Sequence, residues 1–148
     1  MIIKKRIGMI SIIFSLFIFN ACEDNTNEIP ESGTISGKVS FVGTFPATSM
    51  GKVQISLHKD WYPKGPPYSI KEITSSDIKN GMYEYEFDQV AFGTYKAVAV
   101  DIDNGSNTYN IWGVYGGTAR TGFMDADSLV VSVDNYDIDQ INIEAIIQ

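Results

Sequence analysis

The stretch "NGMYEYEFDQVAFGTYKAVAVDI", residues 80–102, decides the fold. Its first half alternates, with Tyr83, Tyr85 and Phe87 on one parity and Glu84 and Glu86 on the other. A period of two marks a strand with one buried and one wet face. Its second half, "TYKAVAVDI", is apolar almost without a break, as a central strand covered on both sides is. Asn80-Gly81 in front accepts the positive φ of a two-residue type I′ turn, which predicts a hairpin.

The same pattern continues outward. "TISGKVSFVG" puts Ile35, Val39 and Phe41 in phase, and "KVQISLH" sets Val53, Ile55 and Leu57 against Lys52, Gln54, Ser56 and His58. "SLVVSV" and "DQINIEAII" add two strands, the last with Ile141, Ile143, Ala145 and Ile147 aligned. Gly43, Gly51 and Gly93 fall between runs, and no helical period holds over any window long enough for a helix. The prediction is all-β: an antiparallel β-sandwich of about seven to eight strands spanning 33–148. Its inner faces share Val39, Phe41, Val53, Ile55, Leu57, Tyr85, Phe87, Val98, Val100, Ile141 and Ile143.

The first 21 residues read as a secretory signal: Lys4, Lys5 and Arg6, then an apolar run from Ile7 to Phe19 that is short for a membrane span. Cys22, the single cysteine, follows directly. Phe19-Asn20-Ala21-Cys22 resembles a bacterial lipobox, with small Ala21 before the thiol. One cysteine forms no internal disulfide, but at a cleavage point it carries lipid that anchors the chain. Residues 22–32, with Glu23, Asp24 and Glu28, read as an acidic flexible tether. The expected address is the outer membrane, facing the periplasm or the surface, with the membrane as partner through Cys22.

Without Lys4, Lys5 and Arg6, the eleven basic residues fall to eight against eighteen acidic ones, a formal net charge of −10. That balance argues against nucleic acid, which needs a basic stripe, and against electrostatic binding to anionic lipid.

"SGTISGKVSFVG", "VQISLH" and "YEYEFDQVAFGTYKAVAV" together are similar to the carboxypeptidase regulatory-like domains of the transthyretin-like β-sandwich group. The resemblance covers roughly 33–103 and includes the link Val-x-x-Gly-x-Tyr, here Val90, Gly93 and Tyr95. It implies a transthyretin-like sandwich and a non-catalytic accessory or binding module. The insertion "KDWYPKGPPYS" departs from the pattern.

Two segments offer chemistry. In residues 60–69, Trp61, Tyr62 and Tyr68 flank three prolines, and a stiff aromatic loop can stack on a sugar or peptide. The alternative is that these rings fold back over the core. Trp112 and Tyr115, in a glycine-rich segment, join them as ligand candidates. The second segment begins "DIDNGSN": Asp101 and Asp103 are hard oxygen donors suited to calcium. An EF-hand fails, because the twelfth position from Asp101 is Trp112. A calcium site would need Asp125 and Asp127 to meet the first pair in space; otherwise the aspartates end a strand as Asx-turns.

"GVYGGTARTG" lacks the Lys-Ser/Thr of a phosphate loop. His58, the sole histidine, lies on the polar phase of its strand, where a surface position is expected. With no evident nucleophile for it, the chain reads as no enzyme. The expectation is a lipid-anchored envelope binding or structural module, for which an envelope protein or glycan is a possible partner. The alternative is a carbohydrate-binding module using exposed aromatic loops.

Overall fold

The computed structural model describes residues 29–106 and 110–147; the expected signal segment and Cys22 lie outside the described residues. Ten strands follow in chain order: β1 (Ser32–Val42), β2 (Lys52–His58), β3 (Ser69–Ile73), β4 (Met82–Ala91), β5 (Gly93–Tyr95), β6 (Ala97–Asp103), β7 (Asn110–Val114), β8 (Leu129–Val131), β9 (Asp137–Ile138) and β10 (Ile143–Ile146). One sheet has β1 at its centre, with β4 on one side and β9 then β10 on the other. The second runs β3-β2-β6-β7, and β5 pairs with β8 as a short ribbon. Alternating apolar phases of both large sheets bury Ile35, Val39, Val53, Ile55, Leu57, Tyr85, Phe87, Val98, Val100, Ile141 and Ile143 in one core. The architecture is a generic β-sandwich.

Three features differ from a plain alternating antiparallel sheet. β1 pairs in parallel with β9 and β10, with Val39 opposite Ile143. In β4 the register slips between Gly33 and Ile35 of its partner, and Gln89 takes φ 51°. This bulge switches parity, so Val90 turns inward after Phe87. Phe41, expected inside, is only partly buried and packs edge-on against Phe45 at the mouth of the core. The Asn80-Gly81 turn is as predicted: both residues have positive φ, and Lys79 and Met82 exchange backbone hydrogen bonds of 2.8 and 3.0 Å.

β6 is covered on both sides, as its composition foretold. Val98, Val100 and Ile102 enter the main core, while Ala97 and Ala99 enter a second cluster with Val114, Trp61, Phe123 and Ala126. That second cluster lies on the outer face of the four-stranded sheet, under residues 59–68 and 115–128. It overturns the one-wet-face reading of β2.

The segment joining β9 to β10 is held against β1 by two groups that meet at Ile141. A Cβ on Gly37 would collide with the Ile141 carbonyl. Tyr85, inside the core, donates its hydroxyl to that same oxygen at 2.6 Å. Gly37→Ala is therefore expected to cost about 3 kcal/mol through forced backbone displacement, and Tyr85→Phe roughly 1–2 kcal/mol through an orphaned buried carbonyl. Urea denaturation of both variants checks this. A Gly37→Ala midpoint equal to that of wild type would show that the close approach constrains nothing.

Candidate functional site

The outward phase of β2 faces that of β6 in register: Gln54 opposite Asp101, Ser56 opposite Ala99 and His58 opposite Ala97. Because Ala97 and Ala99 are small, the covering loops come down close to the sheet. The result is a polar row sealed beneath them. Ser56 is fully buried, and His58 and Asp101 are each 3% exposed. Gln54 Nε2 donates to Asp101 Oδ1 at 2.7 Å, and Ser56 Oγ lies 3.0 Å from Asp101 Oδ2 and 2.9 Å from His58 Nε2. Trp61 roofs the row, its ring 5.5 Å from that of His58 and its Nε1 donating to the Phe123 carbonyl at 2.7 Å.

Proton inventory gives the row a direction. A hydroxyl has one proton, and the carboxylate is the strongest acceptor beside Ser56. Ser56 therefore donates to Asp101 and accepts from His58 Nε2–H. The carboxylate gathers two donors, and the imidazole sits at the far end as a donor. Burial pushes the Asp101 carboxyl up, while its bonds from Gln54 and Ser56 pull the other way and the Asp103 charge adds a further push up. Burial pushes the His58 imidazole down to about 4.

Sequence reading placed His58 on the surface and passed over Ser56. The available signal was their i, i+2 spacing on one face of β2. Ser56 and His58 have the separation of a nucleophile and its base. The hydroxyl is fully covered, which speaks against that use, and the carboxylate beside it is the stronger acceptor for its proton. A triad would have the carboxylate orienting the histidine, whereas here it is bound to the serine.

The aromatic candidates do not form an open row. Trp112 is 3% exposed and belongs to the main core. The register shift between Val100 and Asp101 bulges β7 and turns the indole inward. Its Nε1 finds no acceptor among the described residues. Tyr115 packs against the same core, and Trp61 is partly buried as the roof. Tyr62 and Tyr68 keep 38% and 39% exposure. Tyr68 accepts a hydrogen bond from the Ala91 amide at 3.1 Å and stacks edge-on against Tyr95, with Lys59 Nζ 4.8 Å above its ring. Beside them lies a cavity of about 120 Å³ lined by His58, Lys59, Asp60, Lys64 and Tyr68.

Nor are the four candidate calcium ligands gathered. Asp101 is turned into the buried row, and Asp103 accepts from the Gly105 amide at 2.9 Å as an Asx-turn. Asp125 accepts from the Thr118 amide and the Thr121 hydroxyl, and Asp127 packs against Gly116. Asp127 donates its amide to Tyr115, whose own amide bonds Val98. The second pair thus sits at the Val98 end of β6, roughly 16 Å along the strand from Asp103 at the usual strand rise. Among the described residues, no group of three or more His, Cys, Asp or Glu side chains is placed to hold a metal ion.

No family model, curated protein or solved structure matches the chain. The buried row and the cleft beside it therefore have to be read from their own chemistry.

The row makes stability depend on pH. Below pH 6.5 the unfolded imidazole takes a proton that the folded one refuses until about pH 4. Stability falls as pH falls through that window, by up to roughly 3 kcal/mol. Asp101 has the opposite sign: its folded pKa is raised, so acidification through that value relieves a buried charge and restores some stability. Urea denaturation at several pH values between neutral and mildly acidic should show wild type weakening with acid and His58→Gln weakening less. Equal slopes in the two proteins would remove His58 as the cause.

Proposed function

We propose that the chain is a non-catalytic binding or structural module of the cell envelope. It is held at the outer membrane by lipid on Cys22 and carried on the acidic tether of residues 22–32. The observation that carries the non-catalytic part is the sealed row. The described residues bring one serine to one histidine, and this pair is under a roof with its proton committed to Asp101. The anchoring part rests on the lipobox-like Phe19-Asn20-Ala21-Cys22. It also fits that, among the described residues, no helix is long and apolar enough to cross a membrane. The transthyretin-like, carboxypeptidase regulatory-like assignment belongs to the same proposal. It is supported by two packed sheets and by the Val90-Gly93-Tyr95 link, in which Tyr95 is fully buried and donates to the Ala91 carbonyl at 2.8 Å.

Intact-mass analysis of the chain extracted from membranes checks the anchor. The expected product begins at Cys22 and carries the mass of a diacylglyceryl group and an N-acyl chain. Cys22→Ser is expected to remain unprocessed. An unmodified thiol on the mature chain would sink the anchoring.

A second reading is favoured by the cleft of Lys59, Asp60, Lys64 and Tyr68, in which Tyr68 retains an exposed ring. A glycan stacking there would meet two lysines, so uronate-containing oligosaccharides are expected to bind better than neutral ones. Titration calorimetry with both classes, on wild type and Tyr68→Ala, tests it. Binding that ignores both the uronate and the tyrosine would count against this cleft.

A further inference from the structure

The end of the sandwich where the tether enters carries a cluster of exposed apolar side chains. Ile29, Phe92, Val130, Val133 and Tyr136 are 74%, 39%, 54%, 43% and 46% exposed. They belong to three segments that converge on the first residues of β1. Ser32 pairs with Ala91, next to Phe92. The Thr34 amide bonds the Tyr136 carbonyl at 2.6 Å, and a Cβ on Gly33 would lie 2.6 Å from Val131 Cγ1. Val133 tips the turn closed by Ser132 and Asn135, and Asn135 Nδ2 reaches back to the Val130 carbonyl at 2.9 Å. Folding leaves these side chains in water.

Chain length says what meets them. Cys22 precedes Ile29 by only seven positions, a reach of at most about 25 Å when fully extended and roughly 15 Å when relaxed. Lipid on Cys22 would therefore hold this end of the domain within about 25 Å of the bilayer, nearer than the opposite end. So short a tether raises the local concentration of the surface enough for a modest apolar patch to engage it. Charge narrows the surface further. Residues 29–37, 86–95 and 129–139 contain no lysine or arginine, while Glu31, Asp88, Asp134 and Asp137 are exposed among them. Anionic headgroups would be repelled, and zwitterionic ones fit.

We propose that this end is a membrane-docking face. Ile29, Phe92, Val133 and Tyr136 seat in the headgroup region of a zwitterionic leaflet, and the domain stands upright with the Asn80-Gly81 turn pointing away. The inference rests on anchoring through Cys22, and its test supplies that anchor chemically so that the two stand or fall separately. The mature chain is coupled through Cys22, its single cysteine, to a maleimide lipid in phosphatidylcholine–phosphatidylethanolamine vesicles. Quenching by acyl-brominated lipid is then read from the emission that Y136W or M82W adds to the parent. Met82 lies at the opposite end of β1, paired with Ser40.

The expected result is at least twofold quenching for Y136W and none for M82W, undiminished when brominated zwitterionic lipid alone is present and not enhanced by anionic lipid. Ile29→Ser, Phe92→Ser and Val133→Ser combined should abolish it, with an unchanged urea midpoint showing that the variant is folded. Equal quenching, or none, at both reporters would overturn the proposal. So would protection of Y136W from aqueous acrylamide without lipid quenching, which would place a second copy of the chain on this face.

Discussion

Asp101 stands in the middle of a sheet, on a strand with no wet face, and its carboxylate is held there by donors from the neighbouring strand. The rest of the outer layer follows from that constraint. A carboxylate out of water needs its oxygens filled, and β2 supplies Gln54 and Ser56 at the positions that face it. Ser56 in turn is supplied by His58, so the polar phase of β2 is consumed internally. Only a roof over these groups makes the arrangement self-consistent, and Trp61, fastened to the Phe123 carbonyl, provides it. What remains open to ligands is the rim of that roof, where Tyr62, Tyr68 and Lys59 lie. For the same reason the Ser56 hydroxyl is already engaged, with His58 and Asp101 both within hydrogen-bond distance of it.

Much of the sandwich was legible, because alternation is a local property. Val53, Ile55 and Leu57, and likewise Tyr85 and Phe87, declare their face through their neighbours, and Asn80-Gly81 declares its turn through the φ it tolerates. The continuous apolar run of β6 correctly announced two covered sides. Bulges were not legible. Gln89 and the slip opposite Val100 switch parity, so Val90 turns inward after Phe87, and Trp112 turns inward against expectation. The sealed row was equally hidden, because a polar phase looks the same whether water or a partner strand satisfies it. Only the pairing of Gln54 with Asp101, 47 positions apart, distinguishes the two. An aspartate interrupting an apolar strand is the visible hint, and it is equally the mark of a strand end. The cluster around the start of β1 has no local signature, because its members come from three separate segments.

The parallel pairing of β1 with β10 has a bearing on how the domain comes into being. Among the described residues, the first strand lies at the centre of its sheet, and one of its flanks is supplied by β9 and β10, with the Lys38 amide bonded to Asn142 across 104 positions. A chain delivered from its N-terminus must carry β1 with that edge bare until β9 and β10 arrive. Closure of the edge is thus a non-local pairing, slow in the way such pairings are. Loss of β10 leaves an open template instead of a slightly smaller domain. The short β10 works as a latch whose importance is out of proportion to its length.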